Sequence, residues 1–453
     1  MEKIENNGIK SHLTNGFYTL KKGFIIRLEF FGGLIVDTTK NDYYSTNHED
    51  GLFLIILEEV KSLESAYKIF QKIITDYQFD ITQYKKFLHI VYNCEDEKFD
   101  LENYVNKFKL IYIKSKNNKF LSAPLDVTIY PTLKCQLKCE FCYIKNAGLK
   151  SQDELSLDDF KKILLQIKEL KIPYLSILGG EPTLYKDIVK VIDFIGQNEI
   201  DCSITTNGFD LTDEFLNTIN KYKCIGLVIS LQSLDSYNKE VTGADAERII
   251  NNIKRAGKDI KINMVYRTQT VQQIFDMIEF CCANQIEYLG ISLYNNPHED
   301  NLKEIKKFKD FKRLKKIVED YVRKKELNLA IRFEGCNQFF YYKFTTPKTE
   351  IEKLLSKCEA GNIKIEILPN GDVLPCVILD KDSFIAGNVF TNSIKDVWNN
   401  SKILKLLREE QIMDQDCINC IYVDFCNGGC PAKKWFNYKS LSIGRDKRCL
   451  GKK

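Results

Sequence analysis

The chain has 453 residues, enough for two to four domains, and its 44% hydrophobic and 28% charged residues are those of a water-soluble globular protein. A formal charge of +4 is small for this length and argues against nucleic acid or a membrane surface as a partner. Sixteen cysteines are the departure from the ordinary. The start Met1-Glu2-Lys3-Ile4-Glu5-Asn6-Asn7 has no apolar signal core and no apolar run is long enough to span a bilayer, so a cytoplasmic location is expected. In that reducing compartment cysteines serve as thiols, metal ligands or catalysts rather than as disulfides.

Residues 1–20 show no periodicity and read as a loose segment. From Phe24 the pattern changes. Ile25-Ile26-Arg27-Leu28-Glu29-Phe30 alternates apolar and charged residues, Gly32-Gly33 marks a turn, Leu34-Ile35-Val36-Asp37 resumes a strand, and residues 42–47 supply a third. Helical periodicity follows over 51–57, 62–77 and 81–91. Three strands and then three helices make a small winged-helix-like α+β domain over residues 1–98. Its Lys residues are mixed with Glu and Asp, without the one-sided basic face of a DNA reader. Residues 99–124 read as a charged helix or linker.

Residues 125–328 alternate strands with amphipathic helices. The strands are expected at 127–131, 174–178, 201–205, 226–231, 260–266 and 288–293. Helices are expected at 155–170, 185–197, 211–221, 245–256 and 271–284, with a long charged helix at 301–325. Such alternation means a parallel α/β sheet with helices outside, and an active site at the carboxyl ends of the strands.

The loop after the first of these strands is Cys135-Gln136-Leu137-Lys138-Cys139-Glu140-Phe141-Cys142-Tyr143, a C-x3-C-x2-C spacing. Three thiolates this close can converge on one soft metal centre. A four-iron cube that only stored electrons would take four protein thiolates, so three leave one iron open to another ligand. A structural zinc loop completed by a distant residue is the alternative, although the nearest histidines, His89 and His298, offer no local Cys/His module. The second strand ends in Gly179-Gly180-Glu181-Pro182, where glycines expose backbone groups and Glu181 adds an acceptor for an ammonium.

Towards the C-terminus, 365–376 is a hairpin with an Asn370-Gly371 turn. Cys358, Gly371 and Cys376 are spaced C-x12-G-x4-C. Cys417, Cys420, Cys426 and Cys430 are spaced C-x2-C-x5-C-x3-C, and Cys449 follows alone. Zinc ribbons are the alternative on ligand chemistry alone. Cys94, Cys202, Cys224, Cys281, Cys282 and Cys336 are scattered, and most are expected to be small buried hydrophobes.

Cys135, Cys139, Phe141 and Cys142, with Tyr143 just after, resemble the C-x3-C-x-aromatic-C signature of radical S-adenosylmethionine (SAM) enzymes. Gly179, Gly180, Glu181 and Pro182 resemble that family's GGE motif, which holds the amino group of SAM. Thr206-Asn207-Gly208 resembles its TNG segment. Ser230 stands where the family often has Ser-Leu-Asp, although Gln232 replaces the acid and Asp235 comes later. Arg267, at the end of the fifth strand, would face the SAM carboxylate. The resemblance implies a partial (β/α)6 TIM-like barrel, SAM as cosubstrate and catalysis centred on Cys135, Cys139 and Cys142.

The string from Cys358 to Cys449 resembles the SPASM extension of radical SAM peptide and protein maturases, over residues 329–453. The resemblance implies three [4Fe–4S] clusters, one SAM-binding and two auxiliary. By analogy Cys417, Cys420, Cys426 and Cys449 hold one auxiliary cluster, and Cys358, Cys376 and Cys430 the other. Its fourth ligand is Cys336, or the iron stays open for a substrate group such as a peptide thiolate. The first domain resembles the precursor-recognition element of ribosomally made peptide natural products, where a leader peptide adds a strand to a three-stranded sheet.

Together these imply a radical SAM oxidoreductase that cleaves SAM reductively and installs a crosslink, foremost a thioether, on a leader-bearing precursor peptide. Its electron would come from a reductant such as flavodoxin or ferredoxin. Carbon–carbon or carbon–oxygen crosslinks and epimerisation are open on the same scaffold. An anaerobic sulfatase-type maturase, which needs no leader-binding domain, is an alternative, and a zinc-ribbon or winged-helix binding protein is the alternative from outside enzymes.

Overall fold

The computed structural model describes residues 17–20, 23–75, 91–94, 101–149, 153–257, 260–294, 301–335, 349–379, 381–409, 414–420, 423–446 and 449. The chain divides into two units, Met1–Ala123 with Lys348–Glu352, and Pro124–Pro347 with Lys353–Lys453.

In the first unit, β2 (Phe24–Glu29), β3 (Gly32–Asp37) and β4 (Asp42–Ser45) form an antiparallel meander with β3 in the middle. The alternation of β2 is resolved as two buried sets. Ile26 and Leu28 join the apolar core, while Arg27 and Glu29 pair with each other at 2.7 Å. That pair also fixes the end of the unit, because Glu29 accepts the Ser122 backbone N–H at 2.6 Å and Arg27 donates to the Ala123 carbonyl at 2.9 Å. The helix His48–Val60 starts on Asn47, whose side chain accepts the Asp50 N–H, and stops at Lys61 in the left-handed region. It is apolar almost all round because it is buried almost all round. Gly33 and Gly51 let it lie directly on the sheet: a Cβ built on Gly33 would stand 2.6 Å from the Gly51 Cα. The next helix, Leu63–Ile73, is capped by Ser62.

Two expectations change here. Phe17–Leu20 is a strand, β1, paired antiparallel with β5 (Val91–Cys94), so the end of the segment expected to be loose is tied into a ladder, and Val91 is strand rather than helix end. The rest of the helix expected at 81–91 lies outside the described residues. The charged helix forms as Leu101–Asn117, but it packs Phe108, Tyr104 and Val105 on the core beneath Phe53 and Phe70. It is part of the first unit rather than a linker.

The second unit is built on one sheet. The six expected strands form as β6 (Asp126–Ile129), β7 (Tyr174–Ile177), β8 (Cys202–Thr206), β9 (Ile225–Ser230), β10 (Ile260–Tyr266) and β11 (Tyr288–Leu293), all parallel and in sequence order. A further strand, β12 (Ala330–Glu334), extends the sheet beyond β11, although the C-terminal domain was expected to begin at 329. On the other side, β13 (Lys364–Ile367) runs parallel to β6, followed antiparallel by β14 (Asp372–Leu374) and β15 (Gly387–Asn388). The hairpin of the cysteine-rich region is therefore continuous with the barrel sheet.

The strands alternate as a barrel wall requires. In β9, Ile225, Leu227 and Ile229 are buried, while Gly226, Val228 and Ser230 are only partly covered. Helices cover the first set with caps written in the sequence: Ser156 starts Leu157–Glu169, Thr212 starts Asp213–Asn220, and Thr270 with Gln273 forms a capping box before Val271–Ala283. Among the helices that were not expected is Ser236–Thr242 after β9, which Asp235 caps and Gly243 ends.

Candidate active site and metal centres

The three-cysteine loop is held at the carboxyl ends of β6, β7, β8 and β9 by backbone bonds. Gly180 N donates to the Thr132 carbonyl at 2.9 Å and Glu181 N to that of Lys134 at 2.8 Å. A Cβ on Gly180 would lie 2.2 Å from the Lys134 carbonyl oxygen, so only glycine admits this approach. On the far side, Glu140 N donates to the Val241 carbonyl at 3.0 Å, and the Cys139 sulfur lies 4.0 Å from that of Thr242. The unexpected helix after β9 thus ends against the cysteine loop.

Glu181 is almost wholly buried, and four protein donors surround it. Its Oε1 accepts from the Thr183 N–H at 3.1 Å, the Thr183 hydroxyl at 2.8 Å and the Thr206 hydroxyl at 2.6 Å, and its Oε2 accepts from Asn207 N at 2.8 Å. Burial pushes the carboxyl upward, against these donors. Its first task is to join the loops after β7 and β8, and an incoming ammonium would have to share it. Pro182 follows as the buried start of a single tight turn, Pro182–Leu184.

Asn207 turns its amide towards the cysteine loop. Nδ2 donates to Gln136 Oε1 at 3.3 Å and lies 4.0 Å from the Cys135 sulfur. The Gln136 Nε2 is buried with no hydrogen-bond partner, a donor placed where a ligand of this loop would lie. Backbone N–H groups of Leu137 and Lys145 point at the sulfurs of Cys135 and Cys142, at 3.4 and 3.5 Å.

Burial raises the Cys135 thiol, and burial followed by the neighbouring Cys135 and Cys142 sulfurs pushes Cys139 up to about 12. Three neutral thiols so crowded become thiolates only with a cation between them. Among the described residues no three His, Cys, Asp or Glu side chains converge tightly enough for a single ion. A four-iron cube spreads its sulfurs more widely than one ion does. The donor set, the inward N–H groups and the orphaned Gln136 amide fit a [4Fe–4S] cluster with one iron open to a further ligand.

Arg267 reaches the same rim, but its partner is within the cysteine loop. Its guanidinium donates to Glu140 Oε2 at 2.6 Å and lies over the Tyr294 ring. Ser230 accepts from Gln232 Nε2 at 3.1 Å, while Gln232 Oε1 accepts the Val265 N–H at 2.7 Å. The glutamine that replaces the family's acid is therefore a buried tie between β9 and β10. Asp235 is engaged as a helix cap and accepts from Ser233 and Gln273.

Tyr143 packs in one cluster with Tyr130. Tyr130 donates to Glu366 Oε2 at 2.8 Å, and that oxygen accepts the Val377 N–H at 3.2 Å. A buried hydrogen-bonded link thus joins Tyr130, packed on the residue after Cys142, to the residue after Cys376.

The second cysteine group is brought together in part. Burial drives the Cys426 thiol up to about 12, with Cys449, Asp446, Cys417 and Cys420 adding to the rise, so these four sulfurs share one neighbourhood. Cys376 and Cys430 pack in one apolar cluster with Leu379, Phe384 and Leu407. Cys358 is exposed ahead of β13, and Cys336 lies outside the described residues. Of the scattered cysteines, Cys202 and Cys281 are buried as expected, whereas Cys224 and Cys282 are only partly covered.

Glu140, Gln136, Gln232, Tyr130 and Glu366 escape a reading of the sequence. Glu140 and Gln136 carried a signal in their position between the cysteines. Gln232, Tyr130 and Glu366 acquire their partners only through strand pairing.

Comparison with known proteins supplies the family. The profile of the Radical SAM superfamily matches residues 129–281, and that of the SPASM iron–sulfur cluster-binding domain matches residues 358–421. Mycofactocin maturase MftC of Mycobacterium ulcerans is 28% identical over 346 residues, 73% of this chain and 89% of its own. The antilisterial bacteriocin subtilosin biosynthesis protein AlbA of Bacillus subtilis is 25% identical over 332 residues, 70% of this chain and 69% of its own. The crystal structure of Streptococcus suis SuiB bound to precursor peptide SuiA has a TM-score of 0.84 at 29% identity, covering 96% of this chain and all of that one (100%). With the alternation of β6 to β11, the cysteine loop at their carboxyl ends and the cysteine string that follows, these matches identify the chain as an enzyme of the radical SAM superfamily with a SPASM extension, using S-adenosylmethionine and [4Fe–4S] clusters.

Proposed function

We propose that this enzyme modifies a ribosomally made precursor peptide and joins a cysteine sulfur to a carbon as a thioether. The observation that carries the reading is the likeness to peptide-bound SuiB over 96% of this chain, a share that takes in the N-terminal unit as well as the barrel and cluster domain. A sulfatase-type maturase has no use for that first unit.

When bound, the SAM-binding cluster and SAM supply the radical chemistry. Cys135, Cys139 and Cys142 hold that cluster. Gly179, Gly180, Glu181, Pro182, Thr206, Asn207 and Ser230 shape the SAM side of the cavity, with Tyr143 packed behind the loop. Arg267 steadies the loop through Glu140. An edge strand of the β2–β3–β4 sheet would take the leader as an added strand. Cys417, Cys420, Cys426 and Cys449 hold one auxiliary cluster, and Cys358, Cys376 and Cys430 the other. The thioether is favoured because three protein thiolates on that last cluster leave an iron on which a peptide cysteine would be held, unless Cys336 fills it. A flavodoxin or ferredoxin would feed the electrons.

Mass spectrometry of the cognate precursor after anaerobic incubation with enzyme, SAM and reductant tests this. The expected product is lighter by two hydrogens per crosslink, and its cysteine no longer alkylates. The same mass loss with an alkylatable cysteine would replace the thioether with a carbon–carbon or carbon–oxygen bond. An unchanged mass would overturn crosslinking.

A further inference from the structure

Lys434 is not one of the cysteine ligands or SAM-side residues, and its setting is unusual. It sits on the helix Pro431–Tyr438, four residues after Cys430, with the whole residue 1% exposed. Its ammonium is buried with no hydrogen-bond partner. Among the described residues, the groups that face it are the sulfurs of Cys417 and Cys426 and the carboxylate of Asp446. Asp446 lies beyond ion-pair range, and its Oδ2 is engaged by the Cys430 N–H at 3.1 Å. The ammonium also presses on the loop between Cys426 and Cys430, since a Cβ on Gly428 would stand 3.1 Å from Nζ.

A lysine buried without a partner is among the costlier arrangements in a protein, because water is removed and nothing replaces it. Neutral thiols do not compensate it. Four thiolates on a [4Fe–4S] cluster would, since the assembly is anionic and gains one more negative charge when reduced. Hydrogen bonds and cations near the sulfurs are established determinants of such a cluster's potential.

We propose that Lys434 is a positioning residue for the cluster on Cys417, Cys420, Cys426 and Cys449, supplying the counter-charge that favours its reduced state. Closing a crosslink on a peptide radical releases one electron and one proton. When bound, the cluster would take up the electron, to be reoxidised by an external acceptor, and the proton would pass to solvent. Lys434 would make this cluster a better electron acceptor than the same four thiolates without a buried cation beside them. The inference rests on the assignment of those four cysteines to one cluster.

The test uses full-length protein carrying Lys434→Met or Lys434→Arg, reconstituted anaerobically, with iron and sulfide measured first. In a potentiometric titration followed by electron paramagnetic resonance, Lys434→Met should lower the reduction constant of one auxiliary cluster about tenfold, about 59 mV for a one-electron couple. Lys434→Arg should stay near wild type. Without metal, Lys434→Met should unfold at a higher temperature than wild type, because an uncompensated buried charge is gone. Loading of Arg but not Met would also support the counter-charge. A fully loaded Met variant with unchanged potential, an apo-protein no more stable than wild type, or failure of both variants to load would overturn it. Wild-type protein without iron and sulfide would instead sink the cluster assignment beneath it.

Discussion

The backbone nitrogen of Asn207 donates to Glu181 Oε2 at 2.8 Å, so the loops that end two neighbouring parallel strands close on one buried carboxylate. The backbone of that carboxylate is zipped to the segment entering Cys135, and the side chain of Asn207 reaches the sulfur. Motifs far apart in the chain meet at Glu181. Replacing Glu181 by Ala would strand the Thr183, Thr206 and Asn207 donors and should cost about 3 kcal/mol in unfolding free energy, with Gln costing about 1 kcal/mol. Denaturant unfolding of the apo-protein measures this. SAM affinity of the loaded protein should fall at least about tenfold for Ala.

Arg267 and Glu140 give a second test, because two readings of the arginine differ. The pair is partly exposed, so its loss should change stability by no more than about 1 kcal/mol. If the arginine steadies the cysteine loop, Arg267→Met should slow SAM cleavage several-fold, and the reversed pair Arg267→Glu with Glu140→Arg should restore much of it. If the arginine instead meets the SAM carboxylate, the reversed pair stays impaired and SAM affinity drops.

Asp126 provides a pH signature. Burial raises its carboxyl to about 6, with Lys364 pulling the other way, and its Oδ1 has no hydrogen-bond partner. The unfolded carboxyl titrates near 3.9, so between about pH 4 and pH 6 the folded state holds more protons. The favourable contribution is fully present below that window and is lost as pH rises through about 6. Asp126→Asn should therefore be more stable than wild type at pH 8, by up to about 3 kcal/mol, with the gap closing as pH falls to about 4. Thermal unfolding across that range checks the sign.

What could be seen in advance follows the range of the interaction. The C-x3-C-x2-C loop, the Gly179–Gly180 approach and the helix caps are local, and the structure places them where spacing and turn chemistry put them. The pairing of Phe17 with Cys94, the strand at Ala330–Glu334 beyond β11 and the parallel docking of Lys364–Ile367 on β6 join segments far apart, and no local pattern announces them. Lys434 and Gln232 were hidden for a related reason: a polar residue in an amphipathic stretch reads as solvated until its neighbours are known.

The N-terminal unit is open to truncation at a boundary the fold defines better than the sequence. Cutting after residue 110 would split the helix Leu101–Asn117 and expose Phe108, so the cut belongs after Ala123. Protein lacking residues 1–123 should keep SAM cleavage within about threefold while losing at least about tenfold in turnover of leader-bearing peptide. Unchanged turnover would remove the recognition role of that unit.

The most direct measurement takes wild-type enzyme and the variant with Cys135, Cys139 and Cys142 all replaced by Ala, both reconstituted anaerobically with the cognate precursor, SAM and dithionite. The wild type should yield 5′-deoxyadenosine together with a precursor lighter by two hydrogens per crosslink, and the variant neither. Modified precursor or substantial 5′-deoxyadenosine from the variant, or a wild type that holds zinc without acid-labile sulfide, would contradict the assignment of radical chemistry to that loop.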